Sequence, residues 1–342
     1  MKQLQNTLYI LTQGTYLHCD NQSIAVEVGG TIRTRIPAHT LESICCFGNI
    51  VVSTPLIGFC GSNGIGLSFV SETGKFLGRV HGPVSGNVLL RKKQFLATED
   101  PLFSVSIIQS ILCGKLVNSR NLLLRSAREQ KDTEQAQRLL DAAKQLSEFA
   151  PMLEKADSPD NLRGLEGAAA TVYFRHFDDM LHAKDSTLRF ITRSRRPPLN
   201  EVNAVLSFLY MLLKNDMQSA LESVGLDPAC GFLHTLRPGR PSFALDMMEE
   251  LRAPLCDRMA LSLFNRGQLT AADFSNDSGG YTLEDSVRKL LINTWQTRKK
   301  ETIQHAFLNE KISIGLIPYS QALLMARVIR GDLDCYPPFV WR

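Results

Sequence analysis

No two cysteines stand in a CxxC spacing in this chain of 342 residues, although it has eight, at positions 19, 45, 46, 60, 113, 230, 256 and 335. Their scatter, several of them within apolar runs, excludes a zinc ribbon or a disulfide scaffold. It fits small buried hydrophobes in a reducing compartment. The start, Met-Lys-Gln-Leu-Gln-Asn-Thr-Leu-Tyr, lacks the apolar core of a secretory signal. The longest apolar stretch, Ala204 to Leu213, is about half of the roughly 20 residues that a membrane helix needs. A cytoplasmic protein without a membrane partner is the expectation. Internal repeats are missing, and so is GxGxxG: Gly61, Gly64 and Gly66 read as turns. A large excess of one charge is missing too. Lys and Arg number 38 against 34 Asp and Glu, a formal net charge of +4 with a pI near 8.6. Such a chain binds nucleic acid through a local basic surface or not at all.

What is present divides in two, an α+β organisation. Residues 1–85 read as short strands: Ser23 to Val28, Thr31 to Ile36, Ile50 to Val52, Ile65 to Val70 and Phe76 to Val80. They are separated by turn residues such as Gly29-Gly30 and Thr73-Gly74. Their spacing predicts a small N-terminal β-sheet domain, sandwich-like or rolled. Residues 86–342 carry apolar residues at three- and four-residue steps and read as a larger all-α domain. Within it, Arg125 to Glu148 reads as a solvated helix with a Leu139, Leu140, Leu146 stripe. Asp157-Ser-Pro-Asp160 reads as a break that caps the next helix, and Glu201 to Leu221 as the central buried helix. Asn276 to Gly280 reads as a flexible loop.

Two stretches carry chemistry. Glu166 lies against an apolar stripe of Leu162, Leu165, Ala169, Val172, Tyr173, Phe177 and Met180, among small neighbours. A carboxylate there needs a cation or hydrogen bonds, so the residue reads as a metal ligand or as a capping or salt-bridged glutamate. Further on, His234 precedes the rigid Arg237-Pro-Gly-Arg-Pro241 turn, and Ser242 is a plausible N-cap for a helix carrying Asp246 and Glu249. Those acids are three residues apart and share a helix face, over which the turn folds the imidazole. One nitrogen and several oxygens suit Mg²⁺ or Mn²⁺ better than structural zinc, and phosphodiester chemistry needs such an ion. Basic residues surround these stretches: Lys184, Arg189, Arg193, Arg195 and Arg196 before Pro197-Pro198, with Arg237 and Arg240 in the turn. These are the candidate contacts to a phosphate backbone, which the resemblance below makes DNA. Further basic clusters stand at residues 91–93, at Lys115, Arg120 and Arg125, and at residues 298–300.

The chain resembles, over its whole length, the universal CRISPR-associated integrase, the first Cas protein of the spacer-acquisition module, of subtype I-C. The resemblance lies in Lys115 with Asn118, Arg120 and Arg125, in Leu165-Glu166-Gly-Ala-Ala, in Arg193 to Ala204 with Tyr210, and in Gly231-Phe-Leu-His234 through Asp246-Met-Met-Glu249-Glu-Leu-Arg252. Gln321-Ala322, Arg330-Gly331 and the Tyr336 to Trp341 tail complete it. It implies an N-terminal β domain that dimerises and a helical domain that holds the metal through Glu166, His234 and Glu249. Position 249 is aspartate in many members, and Asp246 becomes a supporting acid or alternate ligand. It further implies metal-dependent cleavage of double-stranded and branched DNA, and integration of short foreign DNA into a CRISPR array in antiviral defence. The implied partners are a second copy of the chain and the small second Cas adaptation protein. Without the resemblance, the residues equally fit a general metal-dependent nuclease acting on RNA or branched DNA, or a DNA-binding scaffold without catalysis.

Overall fold

The computed structural model describes residues 6–72, 76–80, 88–183, 185, 187–277 and 279–341. The Thr73-Gly74 turn, the expected domain boundary at residue 85 and Lys184 lie outside them. The N-terminal β-sheet region followed by a helical C-terminal domain is present as expected. By compactness the chain forms two units. The first is Met1–Gly86 with Arg288–Thr302 and Ser313–Leu316, and the second is Asn87–Val287 with Ile303–Ile312 and Ile317–Arg342. Two late segments assigned by sequence to the helical domain therefore group with the N-terminal unit.

In the first unit, strands β1 (Thr7–Ile10), β2 (Tyr16–Asp20), β3 (Ser23–Val28), β4 (Thr31–Pro37), β5 (Ser43–Phe47) and β6 (Val51–Val52) precede helix α1 (Thr54–Ser62), β7 (Gly66–Val70) and β8 (Phe76–Val80). They make two four-stranded sheets, ordered β4-β3-β2-β6 and β1-β5-β7-β8. Gly29 and Gly30, at φ +60° and +77°, close the β3–β4 hairpin, a two-residue turn that needs left-handed backbone at both positions. Leu17, Ile24 and Val26 of one sheet and Ile44, Cys46 and Leu67 of the other share a core with Leu56 and Cys60 of α1. An all-strand reading of this region missed α1, which Ser53 caps through Leu56 N–H and Pro55 helps to start. Gly61 sits inside α1, and Gly66 opens β7.

The second unit contains α2 (Val88–Glu99), α3 (Pro101–Glu129), α4 (Thr133–Glu148), α5 (Ala150–Lys155), α6 (Pro159–Arg175) and α7 (Glu201–Ser223). After α8 (Ser242–Met247) and the short α9 (Glu249–Leu251), a π-helical turn over Arg252–Asp257 leads into α10 (Arg258–Asn265). Then, in chain order, come the hairpin β9 (Phe274–Asp277) and β10 (Gly280–Leu283), helix α11 (Asp285–Lys300), which from Arg288 on groups with the first unit, the short strands β11 (Thr302–Gln304) and β12 (Lys311–Ser313), and α12 (Ile317–Arg330). Of the segment expected as a flexible loop at 276–280, Asn276 and Asp277 pair with Tyr281 and Gly280 in an antiparallel hairpin, and Ser278 lies outside the described residues.

Helix α3 organises the site. Asp100 caps it by accepting from Leu102 and Phe103 N–H, and its buried face of Ile107, Ile108, Ile111, Leu112, Leu116, Leu122 and Leu123 packs on α4, α6 and α9. By length and composition α3 is apolar enough to cross a bilayer, unlike the shorter run at Ala204 to Leu213, yet half of its most apolar stretch is buried within the protein. Helix α7 is buried nearly all round, as its pattern predicts. In α4 the buried stripe is Leu139, Ala142, Ala143 and Leu146, and Leu140 instead faces solvent. None of the eight cysteines, all of them among the described residues, forms a disulfide, but Cys113 and Cys335 are exposed, contrary to a uniformly buried set.

Candidate active site

Four backbone segments bring the expected residues together. Ser158 caps α6 through Asn161 N–H, with Pro159 at its first position, as the break at 157–160 predicts. That helix carries the partly buried Glu166 inward. Helix α3 brings Lys115 from its buried face, the turn after α7 brings His234, and α8–α9 bring Asp246 and Glu249. Ser242 does not cap α8: it is the first helical residue, and its hydroxyl donates to Thr235 O at 3.2 Å. Met248, whose backbone stays right-handed helical, separates α8 from α9, and the two acids flank one imidazole: Asp246 at His234 Nδ1 and Glu249 at Nε2.

Asp246 is fully buried and turned towards the His234 loop. Its Oδ2 accepts Phe232 N–H at 2.6 Å and Leu233 N–H at 3.0 Å, and its Oδ1 accepts His234 N–H at 2.9 Å and lies 2.6 Å from His234 Nδ1. Gly231 permits this approach, since a Cβ there would stand 2.5 Å from Asp246 Oδ2. Both of its oxygens are thus engaged in hydrogen bonds, and one of them fixes the imidazole. His234 Nε2 faces Glu249 Oε1 at 3.7 Å.

Glu166 and Glu249 meet on a cation of the chain itself. Lys115 Nζ donates to Glu166 Oε1 and, at 2.8 Å, to Glu249 Oε2, while Arg252 Nη1 holds Glu249 Oε1 at 3.0 Å. Burial opposes ionisation of Glu249, but Arg252, Lys115 and His234 outweigh it and hold its carboxyl well below the usual range. Burial likewise opposes the Lys115 ammonium, and Glu249 and Glu166 outweigh it and raise its pKa. Among the described residues no group of three His, Cys, Asp or Glu side chains is gathered as a metal-ligand cluster. The donor set still fits a hard divalent ion. Two carboxylates already share one cationic position, and an imidazole nitrogen faces one of them.

Beyond Glu249 lies a small cavity of about 30 Å³, room for roughly two waters, lined in part by Lys115, Tyr173, Tyr210 and Asp257. Tyr173 and Tyr210 hydroxyls donate to Asp257 at 2.9 and 2.7 Å, and the Arg193 and Arg252 guanidinium groups lie 5.2 and 5.1 Å from the Tyr210 ring centre.

The expected DNA contacts separate. Arg237, Arg195 and Arg196 are exposed. Arg240 is partly buried and feels the charge of Arg237 and Arg195, and burial with that crowding lowers its pKa. Arg189 is exposed and 3.4 Å from Asp178 Oδ2. Arg193 is turned inward: it donates to Asn203 Oδ1 at 2.8 Å and Ser207 Oγ at 3.2 Å, and is a structural brace of α7 instead of a surface contact. Lys115 and Arg125, expected in one basic cluster, are both paired, Arg125 with Glu129. Sequence reasoning missed the roles of Lys115, Arg252, Asp257 and Glu250. A lysine in the apolar stripe of α3 was the available signal, because buried lysines need a carboxylate.

A family model described as CRISPR associated protein Cas1 matches residues 8–297 of the chain. The CRISPR-associated endonuclease Cas1 1 of Chlorobaculum tepidum is 45% identical over 343 residues, covering 100% of both chains. Among solved structures, a casposase bound to integration product is similar with TM-score 0.81 and 20% identity, covering 99% of this chain and 95% of that one. A chain of a Cas6-RT-Cas1–Cas2 complex is similar with TM-score 0.83 and 23% identity, covering 100% of this chain and 36% of that one.

Proposed function

The chain belongs to the CRISPR-associated Cas1 family, and on that premise we propose that it is a metal-dependent DNA endonuclease and integrase that inserts short foreign DNA into a CRISPR array. One observation carries the reading: Glu166 and Glu249 meet on a single cationic nitrogen while His234 Nε2 faces the same Glu249. Glu166, His234 and Glu249 would hold Mg²⁺ or Mn²⁺, which stabilises charge on the attacking and leaving oxygens of a phosphodiester. Asp246 keeps a proton on His234 Nδ1 and so presents Nε2 as the free donor, the arrangement that orients ligating histidines. Arg252 offsets the charge of Glu249. Arg240, Arg237 and Arg195, whose charges crowd one another, hold backbone phosphates, and Arg189 and Arg196 extend that surface. On the substrate, a DNA 3′-hydroxyl oxygen forms the new bond to phosphorus and the bridging oxygen at the repeat boundary leaves. Water in its place gives cleavage.

Double-stranded and branched DNA, a second copy of the chain and the small second Cas protein are the proposed partners, in the cytoplasm. The casposase on its integration product and the Cas1–Cas2 assembly, both similar in fold, support the DNA and protein partners. The narrower I-C placement rests on the sequence resemblance alone.

The test is joining of a 3′-hydroxyl DNA into a repeat substrate with Mn²⁺ by wild type, Glu166→Ala and His234→Ala. A loss of roughly 100-fold or more is expected in both variants, the rate equivalent of the few kcal/mol a metal supplies. Wild-type joining in either overturns the reading. Preferential cleavage of single-stranded RNA over linear and branched DNA would replace it with a general nuclease, and DNA binding without turnover would replace it with a scaffold.

A further inference from the structure

Lys115 lies at the centre of the proposed ligand set. Its ammonium touches Glu166 and lies 2.8 Å from Glu249 Oε2, the oxygens that a divalent ion held by those residues also needs. Charge makes the conflict sharper. Lys115 and Arg252 balance Glu166 and Glu249, so a dication added to all four leaves excess positive charge in a mostly buried site. Arg252 is the less free of the two cations, stacked 5.1 Å from the Tyr210 ring and bonded to Glu249. Lys115 has a flexible stem and open space beside it: the cavity of about 30 Å³ that it lines also holds Asp257, a carboxylate whose partners there are the Tyr173 and Tyr210 hydroxyls.

We propose that Lys115 is a stand-in cation. It holds Glu166 and Glu249 together in the metal-free protein and withdraws into the Asp257 cavity when a divalent ion takes the two carboxylates. Lys115 thereby competes with the metal for its own ligands. The inference rests on the metal reading above and fails separately from it.

Mn²⁺ affinity by electron paramagnetic resonance, with thermal unfolding in metal-free buffer, tests it on the full-length wild type, Lys115→Met, Lys115→Arg and His234→Ala. Lys115→Met should bind Mn²⁺ roughly tenfold or more tighter, since even strongly screened charges at contact distance repel a dication. The same variant should melt lower without metal, because two carboxylates then face each other unpaired. Lys115→Arg keeps the charge on a bulkier, less mobile group and should bind Mn²⁺ more weakly than wild type. A lysine that only supports structure would lose Mn²⁺ affinity and melting temperature together in Lys115→Met, and that result overturns the proposal. So does unchanged affinity in either lysine variant. Wild type that binds no Mn²⁺, or binds it equally after His234→Ala, overturns the metal reading instead.

Discussion

His234 and Asp246 are joined at 2.6 Å between Nδ1 and Oδ1, and the same carboxylate accepts three successive backbone N–H groups from Phe232 to His234. One buried acid thus sets both the course of the loop and the face that the imidazole shows to Glu249. Asp246→Asn replaces an acceptor-only group by one with two N–H donors. Loss of roughly 1–3 kcal/mol of stability is expected from the unmatched buried groups, with Mn²⁺ affinity down roughly 10- to 100-fold. Chemical denaturation and Mn²⁺ titration of the same preparation check both numbers.

Gly231 tests that geometry from the other side. A Cβ there would stand 2.5 Å from Asp246 Oδ2 and 2.7 Å from Phe243 N, and the backbone contact leaves no flexible atom to give way. Gly231→Ala should destabilise by roughly 1–3 kcal/mol and weaken Mn²⁺ binding as Asp246 is displaced. A variant of wild-type stability and affinity would show that the loop tolerates movement.

The C-terminal tail should matter through Glu250, the neighbour of Glu249. The Glu250 carboxylate accepts Tyr336 O–H at 2.7 Å, Gln321 N–H at 3.0 Å and Phe339 N–H at 2.9 Å. Asn118 ties the same corner to the tail through Phe339 O and Trp341 N–H. Tyr336→Phe leaves a buried carboxylate short of one donor, and thermal unfolding should register roughly 1–3 kcal/mol of lost stability.

Asp257 gives a pH dependence of defined sign. Burial raises its carboxyl from 3.8 to about 6, against the Tyr210 and Tyr173 hydrogen bonds. From about pH 4 to about pH 6 the folded chain keeps a proton that the unfolded chain has lost, so this group makes stability fall as pH rises through that window and adds no further slope above it. A shift of about two units corresponds to roughly 3 kcal/mol. Asp257→Asn removes the term, so its stability relative to wild type should rise between pH 4 and pH 7. Denaturation midpoints across that range decide it, and a difference that stays constant contradicts it.

Period and punctuation were enough where one physical cause dominated. The all-round apolar Glu201 to Leu221 could only be a buried helix, Ser158-Pro159 carried its own cap, and Gly29-Gly30 its own turn. Helix α1 was hidden because Gly58 and Gly61 interrupt a short apolar run that reads equally as strand. At the site, acid and imidazole identities were visible, while partners were not. Asp246 and Glu249 are three residues apart and both reach His234, but Asp246 also holds the backbone of that loop while Glu249 also takes Lys115 and Arg252. Arg193 looked like its neighbours Arg195 and Arg196, and only the tertiary position of Asn203 turns it inward. Nothing local to those residues encodes such choices.

The central claim, that Glu166, His234 and Glu249 hold one divalent ion, is tested most directly by a crystal structure with Mn²⁺, located by its anomalous scattering. The expected result is a single ion within bonding distance of a Glu166 oxygen, a Glu249 oxygen and His234 Nε2, with Asp246 still on His234 Nδ1. An ion bound elsewhere, or none at this site with Lys115 still joining Glu166 to Glu249 at saturating Mn²⁺, would contradict it.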